Sequence, residues 1–271
     1  MLKDITLGQY FPGNSVIHRL DPRTKLIVLV VYMVTLFVAS GWVSYGVLLL
    51  FLLTVIKISA IPGKSIVRGM KPLVMILVFT GVLNLFFNKD GRVLVDFWGI
   101  TITTGGAERA AFMLVRILML VTATFLLTYT TSPIELTDAI EVLMGPLKKI
   151  KVPVHEIAMM MTIALRFIPT LIEETDKIMN AQKARGADFE SGNILARAKA
   201  LIPILIPLFV SAFRRADELA LAMECRCYRG SVGRTRMKQL EYQKRDFVAL
   251  AFMLLCLVAV IAINAYFPKM F

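Results

Sequence analysis

At 271 residues, 57% of them hydrophobic and with a mean hydropathy of +0.71, the chain is too apolar for a soluble domain and reads as an integral membrane protein. Its formal net charge of +12 does not point to nucleic acid, because basic and aromatic residues do not interleave as a base-stacking surface requires; it fits basic cytoplasmic loops instead. The three cysteines, Cys225, Cys227 and Cys256, do not make a disulfide framework, and no histidine stands near the first two to complete a metal set, so no metal site is expected.

Residues 1–25 form a polar, turn-rich segment with turn signals at Pro12-Gly13 and Asp21-Pro22. Lys3, Asp4, Asp21 and Arg23 deny it the apolar core of a cleavable signal peptide. Arg19, Arg23 and Lys25 crowd the start of the first apolar run and place this N-terminal segment in the cytoplasm. Residues 26–130 read as a four-span membrane part. Leu26–Ser40 and Trp42–Ile56 are short, hairpin-linked spans turning at Gly41, with Trp42 and Tyr45 at an interface. A basic connection (Lys57, Lys64, Arg68, Lys71) leads to a third span, Pro72–Phe87. A turn at Asn88–Arg92 and an alternating, β-branched stretch, Val93–Thr103, predict a small outer hairpin before the fourth span, Ala107–Tyr129. Two polar residues lie within spans, Asn84 and Arg116, close enough in prospect to hydrogen-bond to each other.

Residues 131–245 change character. Ser132 caps a helix with Pro133 at its first position and Glu135 at its third; that helix, about 133–144, is amphipathic and suits the membrane interface until Gly145-Pro146 stops it. Two long helical runs follow, His155–Lys183 and about Asn193–Arg226, with Pro169, Pro203 and Pro207 as kinks. Both are too charged for simple spans and too apolar for an ordinary soluble surface. Between Lys148 and Arg245 there are 18 Lys or Arg against 10 Asp or Glu, so this half lies in the cytoplasm. Residues 246–271 hold the last span, Phe247–Phe267, uncharged throughout, which brings the C-terminus outside. The fold class is therefore an all-α integral membrane protein: about five transmembrane helices plus a cytoplasmic coupling region of two long, kinked, amphipathic helices.

Each long run ends in a short basic sequence, Ala184-Arg185-Gly186 and Cys225-Arg226-Cys227. A lone arginine at a helix C-terminus needs no function, since the helix dipole favours a cation there. Two such ends in one chain read as a bivalent dock, with arginine as a planar, multi-donor anchor.

The chain resembles the transmembrane T component of energy-coupling factor (ECF) transporters, the scaffold of ABC-type micronutrient importers. The residues that carry the resemblance are Gln9-Tyr10, Pro12-Gly13, His18–Lys25, Thr130–Pro133, Leu165–Pro169, Ala181–Gly186 and Ala222–Tyr228, in order over nearly the whole chain. Where the family's second motif is often Ala-Arg-Gly-like, Cys225 and Cys227 flank Arg226 here, so only Arg226 carries over firmly. The resemblance implies a bacterial cell-membrane protein serving vitamin or other micronutrient uptake. Two ABC-type ATPase subunits, identical or different, would dock at Ala184, Arg185, Gly186, Cys225, Arg226 and Cys227. A small membrane substrate-binding S component would lie on the apolar faces that carry Met159, Met160, Met161, Pro169, Pro203 and Pro207. It implies no catalysis in this chain and no cofactor of its own: no Walker-type phosphate loop occurs, and ATP would be bound by the partners. The alternative is a self-sufficient ABC-type or ion-coupled permease, which should show polar groups converging at mid-membrane; only Asn84 and Arg116 qualify. An intramembrane enzyme would need acid–base residues that the spans lack.

Overall fold

Asp21-Pro22 is not merely a turn. Pro22 opens the first helix, where its fixed φ fits and its missing N–H costs nothing, and the Asp21 carboxylate accepts from the amide of Arg23 as the cap. The computed structural model describes residues 10–87, 93–97, 100–187, 189, 193–230 and 239–266. Among these the helices are α1 (Pro22–Val38), α2 (Trp42–Ser59), α3 (Gly63–Met70), α4 (Val74–Phe87), α5 (Thr104–Thr130), α6 (Pro133–Leu143), α7 (Val154–Ala184), α8 (Ile194–Cys225) and α9 (Lys244–Tyr266). Short 3-10 turns cover Lys71–Leu73 and Gly145–Ile150. Strands β1 (Val93–Phe97) and β2 (Ile100–Thr103) pair antiparallel, the small hairpin expected from the alternation. The turn at 88–92, the break at 191–192 and the basic return at 231–238 lie outside the described residues.

Among the described residues, five stretches are long and apolar enough to cross a membrane: α2, the run Gly63–Phe87, α5, α7 and α9. The sequence reading counted α1 and left out α7. The difference is one of length and composition alone: α1, at 17 residues and about 26 Å, stands at the lower limit of a span, and α7 qualifies although its second half is charged.

The chain forms two compact units. The larger comprises Gly8–Ala139 and Leu240–Phe271. In it α1 packs on α9 and α5, α2 on the same pair, and α3 and α4 on α5. Its core is Tyr32, Leu36, Leu48, Leu52, Met119, Leu126, Tyr129, Met253 and Val260, with stacked rings at Tyr32–Phe51, Phe51–Phe252 and Phe125–Tyr129. A Cβ at Gly69 would meet the Tyr129 hydroxyl at 2.9 Å and the Phe125 ring at 3.0 Å, so glycine lets α3 lie close on α5.

Two polar clusters tie α9 to the start of the chain. At one end, buried Asp246 accepts from the amides of Asp21 (2.8 Å) and Gln243 (2.7 Å). Asp21 in turn accepts from Nε (3.0 Å) and Nη2 (2.7 Å) of Arg23, whose guanidinium also reaches the Leu240 carbonyl and lies 4.0 Å over the Tyr242 ring. At the other end, Asn264 accepts from the Ser44 hydroxyl and the Ser40 amide and donates to the Val38 carbonyl. One asparagine thus satisfies groups of the α1–α2 turn that lipid could not. Before α1, His18 donates from Nε2 to the Phe11 carbonyl, and its Nδ1 accepts from Ser15 Oγ at 2.6 Å. Burial, the larger cause, lowers its pKa despite the opposing bond to Phe11, which suits this neutral tautomer.

Asn84 and Arg116, which could have bonded to each other, do not; Arg116 instead joins two helices. Arg116 Nε donates to the Tyr45 hydroxyl at 2.7 Å, with the Phe37 ring 5.4 Å away, and Asn84 donates back to the Thr80 carbonyl of its own helix.

Candidate functional site: two arginine-tipped helix ends

The smaller unit contains Ile140–Gln239. Its two long helices, α7 and α8, run unbroken through Pro169 and through Pro203 and Pro207. Their pairing is antiparallel: Gln182 faces Pro203, and Glu174 faces Ser211 and Arg215. The prolines shape this contact. Pro207 has no N–H to give the Pro203 carbonyl four residues back, and Gln182 Nε2 donates to that orphaned oxygen at 3.4 Å from the neighbouring helix. Farther along, the Glu174 carboxylate accepts from Ser211 Oγ and from Arg215 Nη2 (3.0 Å), and the Arg215 guanidinium lies 5.6 Å from the Phe167 ring.

Both helices finish in the same geometry. In α7 Arg185 is the C-cap, Gly186 turns left-handed at φ +89°, and the amides of Gly186 and Ala187 bond to the carbonyls of Lys183 and Gln182, both at 3.0 Å. In α8 Arg226 is the C-cap, Cys227 turns left-handed at φ +56°, and the amides of Cys227 and Tyr228 bond to Glu224 (2.9 Å) and Met223 (3.0 Å). This doubled bond pattern is the Schellman motif, and in both cases the arginine occupies the same position in it. Cys227 takes the place that Gly186 fills in the first, a likeness of backbone hidden by the unlike letters. Ala184, Arg185, Gly186, Cys225, Arg226 and Cys227 are all exposed, with neither arginine in an ion pair among the described residues.

Because the helices are antiparallel, the two tips lie toward opposite ends of the pair. The register that puts Gln182 beside Pro203 and Glu174 beside Ser211 puts Arg226 beside about residue 159, some 39 Å along the axis from Arg185. The apolar residues between them are largely uncovered. Met160 is 60% exposed and Met161 51%, with Met159 half-buried; Leu205, Ile206, Phe209, Val210 and Phe213 are exposed as well. Pro169, Pro203 and Pro207 are exposed. So large an apolar surface requires cover by lipid or protein.

Sequence reasoning missed His155 and Glu141, paired at 3.0 Å, which tie the end of α6 to the start of α7. Nothing local could have found them, since each reads alone as an ordinary polar residue of an amphipathic helix.

Residues 13–238 match the model of a family described as cobalt transport protein (CbiQ). Among curated relatives, the energy-coupling factor transporter transmembrane protein EcfT of Ruminiclostridium cellulolyticum is 57% identical over 91% of this chain and 92% of its own length. The proteins of the same name from Thermosediminibacter oceani and Bacillus subtilis are 56% and 46% identical, each over more than nine-tenths of both chains.

Proposed function

The chain belongs to the family of energy-coupling factor transporter transmembrane proteins, as a multi-pass membrane transport subunit, and from that premise we propose that it couples two ATPase subunits to a substrate-binding membrane partner. The observation that carries this reading is the repeated arginine-capped helix end, once on α7 and once on α8. Two equivalent tips some 39 Å apart suit two equivalent grooves, one on each half of an ATPase dimer, whether the halves are identical or different. Each tip offers a rigid backbone end and a five-donor guanidinium with no ion-paired carboxylate among the described residues. Hydrolysis of ATP belongs to those partners, and closing their dimer moves the tips.

The uncovered surface of α7 and α8, with Met160, Met161, Pro203, Pro207 and Phe209, receives the small substrate-binding S component. Methionines repack readily against a surface that shifts during a transport cycle. In this arrangement the substrate, a vitamin or another micronutrient, is chosen by that partner. The basic loops support a cytoplasmic N-terminus and a C-terminus on the outside.

The test is co-purification and uptake with Arg185→Glu, Arg226→Glu and the double variant, in membranes that contain the whole transporter. Each single change is expected to weaken ATPase capture by roughly 30-fold, as loss of an anchor worth about 2 kcal/mol does, and the double change to abolish capture and uptake. Intact capture in both single variants would show that the tips are not the docks. Substrate retained by the purified chain alone would favour the self-sufficient permease.

A further inference from the structure

The larger unit contains a cavity of about 280 Å³ between the end of α1 that carries Lys25, the C-terminal halves of α2 and α5, and the start of α9. Its walls are apolar, with Leu29, Phe51, Val55, Leu127, Val248 and Phe252 among them. The hydroxyls that border it are already committed to backbone carbonyls: Tyr32 to Leu48, Thr54 to Leu50, and Thr130 to Leu126. An occupant carrying amides or sugar hydroxyls would find nothing to pair with there, and burying such groups unpaired is costly. Hydrocarbon has no such need.

One rim of the cavity is cationic. Lys25 Nζ donates to the carbonyls of His18 and Thr130 and to Thr131 Oγ1, all neutral acceptors, so no carboxylate is hydrogen-bonded to it. Arg245 is exposed and makes no ion pair or hydrogen bond among the described residues. No acid lines the cavity beside Lys25 and Arg245; of those that act on Lys25 from outside the lining, Glu135 has the largest effect, Asp21 is paired with Arg23 and Asp246 accepts from two backbone amides. From Lys25 to Tyr32 and from Arg245 to Phe252 the lining runs about 10 Å along each helix, roughly a third of the hydrocarbon thickness of a bilayer.

We propose that this cavity is a binding site for one acyl chain of an anionic phospholipid, with the headgroup phosphate against Arg245 and the Lys25 ammonium behind it. The cationic rim selects the headgroup and the committed hydroxyls keep the slot hydrophobic. The site lies at the membrane edge marked by Arg19, Arg23, Lys244 and Arg245, so the lipid is drawn from the leaflet facing that side.

The experiment is native mass spectrometry of the full chain with its co-purifying partners, released from nanodiscs of equal parts phosphatidylglycerol and phosphatidylcholine. One phosphatidylglycerol retained per chain, in preference to phosphatidylcholine, is the expected result. Arg245→Gln, at an exposed position that folding tolerates, should cut that preference roughly fivefold. Ala249→Phe, which fills the slot, should abolish retention of both lipids. Equal retention of the two lipids, an unchanged preference in Arg245→Gln, or a protein segment found cross-linked to the cavity lining would overturn the proposal.

Discussion

Removing the carboxylate of Asp246 leaves the amides of Asp21 and Gln243 without acceptors at a position only 1% exposed. An orphaned buried donor costs about 1–3 kcal/mol, and the Asp21 amide becomes one, while the part-buried Gln243 amide loses its partner at smaller cost. Asp246→Ala is therefore expected to lower the thermal midpoint of the detergent-solubilised protein clearly. A serine in the same place, still an acceptor, should recover part of the loss. An unchanged midpoint for Asp246→Ala would mean that water replaces the carboxylate. At this scale the sequence was least informative. Asp21 read only as a turn signal and Asp246 drew no reading, because their partnership joins residues 225 positions apart. Arg116 was visible as an intramembrane cation, but its partner was not: a tyrosine hydroxyl on another helix met it before the nearest amide could.

At the scale of helices and their ends, the left-handed residues after α7 and α8 make opposite predictions. Gly186 has φ +89° and open space around the site of a Cβ, so Gly186→Ala adds backbone strain without a clash. It should cost about 1 kcal/mol. Cys227 already bears that strain at φ +56°, and Cys227→Gly should relieve it, gaining a few tenths of a kcal/mol or more. Hydrogen–deuterium exchange of the last turns of α7 and α8 would measure both; changes of the same sign would refute the shared motif. Helix boundaries were largely legible, because they are set by local chemistry. Ser132 caps α6 by accepting from the Glu135 amide, and Gly186 ends α7. Crossing the membrane is less local. By length and composition α7 qualifies as a span despite its charged second half, while α1, at 17 residues, stands at the lower limit of one.

For the whole molecule, the native cysteines report topology. Cys225 and Cys227 are exposed beside one proposed dock, and Cys256 is buried in α9. With the docks in the cytoplasm, a membrane-impermeant maleimide should label the first pair in inverted vesicles and leave them unlabelled in intact cells, while Cys256 resists in both until the protein is denatured. Labelling of Cys225 and Cys227 from outside intact cells would reverse the orientation. The sequence conveyed the order of spans and the two arginine-bearing ends through hydropathy and repeated letters. It could not convey that the ends point to opposite extremes of one helix pair, since that depends on the antiparallel register fixed by Gln182 with Pro203 and Glu174 with Ser211.

That register has a mechanical corollary. A beam gripped at both tips responds differently to forces in the same and in opposite directions. Pushed alike, the α7–α8 pair translates; pushed in opposite senses, it experiences a couple and turns about its middle, where Glu174 and Arg215 clasp the two helices together. With an arm of roughly 20 Å on either side, an opposed displacement of about 1 Å at each tip rotates the pair by about 3°. A partner resting near the pivot would be tilted far more than it would be carried.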